Sequence, residues 1–327
     1  MVTVNVYLAL RKILQGVILV IFVAIIIFVV YRLMPGNPLD LFIHNLGPKA
    51  TPADAKRLAI RLGLENGKWS LSGFLIYMKD MFTGNFGTDY YSGETVLQLI
   101  ETALPYTLVL VGTATVLGWV IGIPLGITVS RLRNRKSESI TLSASVILTS
   151  IPYFALAIFL YLFLVANPST SIFPVSSEFY FNLSKNSVLT IIRDLALPVV
   201  TLTVVGATGH LITMRASMVS TLGEDYITTA RAKGVPEKAI LRRHAARNAI
   251  IPVSTRMALE IALIVSGALI VEIIFSIPGM GLLLYDATFQ EDYPLAEAAV
   301  FIISLMTVVA YILIDYIHSW LDPRIRV

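Results

Sequence analysis

The sequence predicts an all-α, polytopic membrane protein with six transmembrane helices and a small extracytoplasmic cap between the first and the second. Three observations carry this. Only 14% of the 327 residues are charged and 56% are hydrophobic, whereas a soluble domain has roughly 25% charged residues. The stretches 102–130 and 139–177 contain no Asp, Glu, Lys or Arg, and about 20 apolar residues already cross a bilayer. Finally, apolar runs alternate with short basic segments along the whole chain, the pattern of spans joined by loops.

The elements follow in order. Arg11 and Lys12 precede an apolar run from Ile13 to Tyr31. This run is too long for a signal peptide and lacks a small-residue cleavage pattern at its end, so residues 1–34 read as an N-terminus with a retained first span, 11–34. Residues 35–101 form the cap. In it Thr51-Pro52 reads as an N-cap with proline at the first helical position. Ala55, Leu58, Ala59 and Leu62 then recur at helical spacing, and Gly63 closes the helix. Phe74 to Phe82 is too short to span and is expected at the interface or packed on the bundle. Residues 102–327 form a five-helix core with spans at 102–130, 139–166, 190–217, 251–277 and 297–321. The Ser-, Asn- and Pro-rich loop 167–189 reads as a turn region.

Charge sets the orientation. Sixteen of the 25 Lys and Arg residues fall on the side that holds the N-terminus, the 131–136 link, the 215–247 segment, Arg256 and the C-terminus. The other side has nine, six of them in one long loop where charge counts less. Both termini are therefore expected on the cytoplasmic side of the membrane. The basic residues are divided among short segments, which excludes a nucleic-acid surface. With no cysteine and four scattered histidines, neither a metal site nor a cysteine nucleophile is expected.

Four ionisable residues lie inside predicted spans: His210, Arg256, Glu260 and Glu272. Such groups are costly at membrane depth and normally face a partner or a cavity. Arg256 and Glu260 are four apart and fit a helical ion pair, with a place on a translocation path as the other reading. Glu272 either lines a path or reaches the interface. Gly118, Gly122, Pro124, Gly126, Gly206 and Gly209 fit close helix packing and also suit hinges.

The most informative segment is 224–248. Glu224 and Asp225 favour a helix N-terminus, Gly234 suits a left-handed helix end, and Pro236 can begin a second helix. The second arm carries Lys238, Arg242, Arg243 and Arg247, suited to an anionic surface or to lipid phosphates. No Gly-x-x-x-x-Gly-Lys-Ser/Thr run is present, so the chain is not expected to hydrolyse ATP, and energy must come from a partner or from an ion gradient. Tilting a two-helix element joined to spans four and five would move the ends of both.

Asp225-Tyr226-Ile227-Thr228-Thr229-Ala230-Arg231-Ala232-Lys233-Gly234 resembles the cytoplasmic coupling loop of ATP-binding-cassette importer permeases, in the version of the dipeptide and oligopeptide permease family. Thr228, Thr229 and Ala230 occupy the places of the general Glu-Ala-Ala triplet and Gly234 that of its glycine; the first two places differ. Pro252 falls later than in the general motif, so the downstream half is not carried over. Further similar stretches are Arg32-Leu33-Met34-Pro35-Gly36-Asn37-Pro38, Gly84-Asn85-Phe86-Gly87-Thr88, Ser150-Ile151-Pro152-Tyr153-Phe154 and Phe173-Pro174-Val175-Ser176. Phe275 to Gly281, Asp292-Tyr293-Pro294 and Leu321 to Arg326 are also similar. The long loop after span one resembles the first of the two permease subunits.

The resemblance implies a permease without cofactor or catalytic residues of its own. It implies a second related permease, two ATP-binding subunits that hold ATP and Mg, an extracytoplasmic substrate-binding protein, and Asp225, Tyr226, Thr228, Thr229, Ala230, Arg231, Ala232, Lys233 and Gly234 as the ATPase-coupling residues. Cargo would be di- or oligopeptides, with oligosaccharides or nickel chelates as alternatives. From another class, a proton-coupled secondary transporter would use His210, Glu260 or Glu272 as proton carriers, and a third reading is a membrane scaffold.

Overall fold

The computed structural model describes residues 6–33, 64–65, 68–133, 135–166 and 188–321. The expected helix at 51–63, the stretches Met34 to Pro38 and Phe173 to Ser176, and residues 322–326 lie outside the described residues.

The helices are α1 (Val6–Leu33), α2 (Leu71–Thr83), α3 (Val96–Ser130), α4 (Lys136–Ser150) and α5 (Tyr153–Tyr161), which runs into a π-helical turn, Leu162–Ala166. Then come α6 (Val188–Thr221), α7 (Asp225–Ala232), α8 (Glu237–Ala239), a π-helical turn Ile240–Ala245, α9 (Ala246–Phe275), α10 (Met280–Phe289) and α11 (Tyr293–Leu321). Ahead of α2, the two-residue strands β1 (Leu64–Glu65) and β2 (Lys68–Trp69) pair antiparallel, Leu64 opposite Trp69. Among the described residues four helices are long and apolar enough to cross a membrane, and two interrupted pairs, 136–150 with 153–166 and 268–275 with 280–289, bring the number up to six.

The third predicted span, 139–166, is not one helix. α4 and the α5 segment meet at 93°. Pro152 has no N–H to continue α4 and pushes the preceding residue out of the helical region. Accordingly Ile151 is extended (φ −75°, ψ 123°) and Pro152 becomes the cap residue of α5.

Packing divides the chain into two compact units. One comprises Leu108–Ile277 with the described parts of Met1–Ala9 and Ala310–Val327; the other comprises Leu10–Thr107 and Pro278–Val309.

In the first unit α6 is the central helix, buried along 72% of its apolar window. Gly118, Gly122 and Gly126, one face of α3 at a spacing of four, lie against it. A Cβ on Gly118 would sit 3.6 Å from Ala207 N, and one on Gly122 would sit 2.8 Å from His210 Cβ. One on Gly126 would sit 2.6 Å from Met214 Cβ. These glycines therefore set how closely α3 and α6 approach, as expected. Across α4 and α6, Thr149 Oγ1 donates to Thr208 Oγ1 at 2.9 Å, and Arg215 pairs with the buried Glu138.

In the second unit α1 buries Val20, Ala24, Ile27 and Phe28, a helical stripe. Ser70 caps α2 by accepting the Gly73 N–H at 3.0 Å, and Gly84 closes it at φ 74°. α2 buries Gly73, Tyr77 and Met81. Phe28 stands 5.1 Å from the rings of both Phe74 and Tyr77, and Phe82 stands 5.6 Å from Phe301. Phe74–Phe82 thus packs one face on neighbouring helices, while Leu75, Ile76 and Phe82 stay exposed on the other. Arg32 pairs with buried Glu297, its guanidinium 4.3 Å over Phe28 and 4.8 Å over Tyr77.

Asp292 caps α11, taking the Leu295 N–H at 3.0 Å, and its other oxygen takes the Tyr90 N–H at 2.5 Å. The Asp292-Tyr293-Pro294 stretch thus meets the loop that follows Gly84-Asn85-Phe86-Gly87-Thr88, which Thr88 and Thr95 close as a bridge.

Candidate coupling segment and intramembrane polar residues

α7 begins at Asp225, an acidic residue in the first turn, where it opposes the helix dipole favourably. Its periodicity puts Ile227 and Ala230 on one face. Ile227 is fully buried and Ala230 nearly so, in a cluster with Met214 and Met218 of α6, Ile240, Leu241 and Ala245 of the π-helical turn, and Ala249, Val253 and Met257 of α9. The opposite face is open: Asp225, Tyr226, Thr228, Thr229, Arg231, Ala232 and Lys233 are exposed. Thr229 returns its hydroxyl to the Asp225 carbonyl at 3.0 Å, so it supports the helix without filling the exposed surface.

The end of α7 is a Schellman motif. The Val235 N–H reaches the Ala230 carbonyl at 3.2 Å and the Gly234 N–H reaches that of Arg231 at 2.9 Å. Gly234 holds φ +76°, and a Cβ there would meet nothing within 4 Å. The position therefore selects glycine by backbone angle alone. Val235 packs on the same cluster as Ala230, the hydrophobic contact that accompanies this motif.

Two side-chain contacts brace the turn. Arg231 forks onto Glu237 at 3.0 and 3.3 Å, and Asn248 Nδ2 donates to the Tyr226 hydroxyl at 2.7 Å. Both Arg231 and Glu237 are about half exposed, so their ion pair contributes little to stability. The second arm is basic and exposed at Lys238, Arg242, Arg243 and Arg247, as its composition predicts. It is not a separate short helix: Glu237–Ala239 runs through the π turn directly into α9. Pro236 is the cap residue rather than the first helical residue.

Of the residues inside predicted spans, His210 and Glu272 are fully buried. Glu272 is enclosed by the packing of this subunit. The Glu272 carbonyl takes the Ile277 N–H at 2.8 Å, and Ser276 turns left-handed at φ 53°, so α9 ends just past Glu272. Arg256 is exposed. Its guanidinium crosses α9 to α6 and lies on Gly209, where a Cβ would be 2.5 Å from Nη2. The Glu260 side chain lies outside the described residues, and with it the expected Arg256–Glu260 pair. Among the described residues no cluster of His, Asp and Glu could hold a metal.

Sequence reasoning missed three participants. Ile227 anchors α7 and was signalled by the 227/230 spacing. Glu237 and Asn248 meet α7 only through the fold and had no local signal.

Residues 122–327 match a family described as binding-protein-dependent transport system inner membrane component. The chain is 32% identical over 321 residues to the oligopeptide transport system permease protein AppB of Bacillus subtilis, covering 97% of this chain and 98% of that one. It is 34% identical over 324 residues to a putative peptide permease protein of Brucella ovis, with 97% and 98% covered. Against the dipeptide transport system permease protein DppB of Lactococcus lactis the identity is 32% over 300 residues, with 91% and 92% covered.

Proposed function

The chain belongs to the family of binding-protein-dependent transport system inner membrane components, and on that footing we propose that it carries di- or oligopeptides as one of two permeases in an ATP-driven importer. It is a multi-pass transport subunit, not an enzyme. An extracytoplasmic binding protein delivers the cargo, a second related permease supplies the other half of the path, and two ATPase subunits hydrolyse ATP with Mg. Both termini and the 224–248 segment face the cytoplasm, as the distribution of Lys and Arg favours. The names of the relatives in Bacillus, Brucella and Lactococcus support peptides as cargo.

One observation carries the coupling assignment: α7 buries Ile227 and Ala230 in a cluster shared with α6, the π-helical turn and α9 while its other face stays open. An open helical face of this kind suits docking into a groove of the ATPase. The buried face suits transmission, because α7 cannot tilt without moving the helices it is packed on. Asp225, Tyr226, Thr228, Arg231, Ala232 and Lys233 make the docking surface, while Ala230 and Gly234 hold its shape. The gradient-driven reading, with His210, Glu260 or Glu272 as proton carriers, has no place in this assignment.

The test is uptake by the reconstituted complex. Gly234→Pro removes the N–H that reaches Arg231 and forbids the left-handed angle. Peptide still binds the binding protein, but ATP hydrolysis no longer drives uptake. Wild-type uptake by this variant would refute the coupling role.

A further inference from the structure

We propose that Arg256, seated on Gly209, is a station for a carboxylate of the cargo inside the membrane. The proposal rests on the peptide-permease reading above. A cation at membrane depth is expensive and normally faces a partner or a water-filled cavity. Arg256 lies five residues into the predicted fifth span, about 8 Å along the helix at 1.5 Å per residue.

Its seat is built. The guanidinium occupies the space a side chain at residue 209 would fill: a Cβ there would lie 2.5 Å from Nη2, 3.2 Å from Cζ and 3.3 Å from Nε. Glycine at this position therefore lets the guanidinium settle against the α6 backbone, while the residue as a whole remains exposed. The nearby polar groups of α6 are engaged within the protein: Thr213 donates to the Gly209 carbonyl at 3.0 Å, and Thr208 shares its hydroxyl with Thr149. Among the described residues, no carboxylate is within ion-pair distance of Arg256. Glu138 is taken by Arg215, and Glu272 lies sixteen positions along α9, roughly 24 Å away at the helical rise.

A guanidinium held this way presents a planar fork of donors that matches a carboxylate in two parallel hydrogen bonds. A peptide with a free C-terminus carries such a group, and its charge is the part of the cargo that most opposes entry into an apolar passage. A fixed positive charge at depth offsets that cost. Amidated peptides lack the group and gain nothing from the station.

The experiment uses the whole reconstituted complex with saturating binding protein. It compares ATP-driven uptake of one peptide as free acid and as C-terminal amide, chosen so that the binding protein holds both equally. Wild type takes up the free acid about tenfold faster, the scale of a charged hydrogen-bonded contact. In Arg256→Gln the two rates converge, and Arg256→Lys keeps part of the preference. Gly209→Ala gives a second, structurally mild variant. Its clash falls on the far end of a flexible side chain, so the guanidinium swings away and the preference falls while the complex still assembles.

An unchanged free-acid preference in Arg256→Gln overturns the proposal and leaves the permease reading intact. So does a defect equal for both peptides and repaired by Glu260→Gln, which would make Arg256 a structural partner of that carboxylate. Failure of Arg256→Gln and Gly209→Ala to assemble also overturns it, since Arg256 would then serve the subunit interface. If wild type moves no peptide with either terminus, the permease reading itself falls, and this station with it.

Discussion

Placing alanine in turn at Gly118, Gly122 and Gly126 separates helix propensity from helix contact. Each change gains up to about 1 kcal/mol of helix propensity, so any difference among the three comes from what the new methyl meets. At Gly118 the nearest atom is Ala207 N at 3.6 Å, an ordinary contact. Nothing has to move, and Gly118→Ala is neutral or more stable by up to ~1 kcal/mol. At Gly122 the methyl would be 2.8 Å from His210 Cβ and closer still to the Ala207 carbonyl oxygen. Both belong to rigid parts of α6, so the helices must part. Overpacking of this kind costs about 1–3 kcal/mol, and backbone resistance puts Gly122→Ala at the upper end, a net loss of about 2 kcal/mol after the propensity gain. Gly126→Ala, 2.6 Å from Met214 Cβ and 2.8 Å from the Leu211 carbonyl, falls beside it. The assay is thermal unfolding of the purified complex in detergent, followed by size-exclusion and by loss of ATPase activity. Variants at 122 and 126 melt several degrees below wild type and that at 118 does not. Equal melting of all three, or a loss confined to Gly118→Ala, would refute the close approach of α3 to α6.

Three further outcomes follow from the same geometry. Because Gly234 is limited only by its positive φ, Gly234→Asn retains most uptake and Gly234→Val loses it, although both leave the site sterically open; equal uptake by the two in proteoliposomes would contradict this. Removing one member of the buried Arg32–Glu297 pair, as in Arg32→Met, destabilises by about 3–5 kcal/mol, while Arg32→Met with Glu297→Leu recovers most of it in the same melting assay. Burial and the hydrogen bond to Asp89 raise the Asp292 carboxyl to about 7, against 3.8 unperturbed. The folded state therefore holds a proton the unfolded chain has released between these values, so this contribution is present at low pH and is lost as pH rises through about 7. Asp292→Asn removes that slope, and a melting temperature whose fall between pH 5 and 8 survives in the variant would count against it.

Features written in neighbouring residues were legible in the sequence. The Schellman turn at Gly234 needs only a glycine after a short amphipathic helix, and α2 showed as the apolar stretch Phe74–Phe82, although its caps, Ser70 and Gly84, came only with the structure. The break at Pro152 was equally local, yet hydropathy over 139–166 measures length and polarity, not direction, and reads two crossed helices as one. The Asp-Tyr-Pro stretch before α11 signals a cap by itself. That the same carboxylate ties down Tyr90 depends on how α3 and α11 come together, which no local pattern encodes. Arg256 on Gly209 is of the same kind. The charge inside a span was visible, and so was the glycine, but which glycine the charge rests on is fixed by the register of α9 against α6.

That register joins the two ends of the mechanism. The cluster that buries Ile227 and Ala230 of α7 also holds Met214 and Met218 of α6, Ile240, Leu241 and Ala245 of the π-helical turn, and Ala249, Val253 and Met257 of α9. Gly209 lies about one and a half turns before Met214 and two and a half before Met218 on α6, and Arg256 lies within the α9 set, next to Met257. The helices that must move if α7 is tilted are therefore the ones whose alignment holds the guanidinium in its seat. A slide of α6 past α9 by one residue, about 1.5 Å, is enough to take the backbone out from under a contact only as wide as a missing methyl group. Packed interfaces change between discrete arrangements instead of deforming smoothly, so an arrangement in which α6 is shifted against α9 would remove the seat. An affinity for carboxylate that switches with the position of α7 is what a transporter needs of an intermediate station, because a site that held its cargo equally well in both states would retain it.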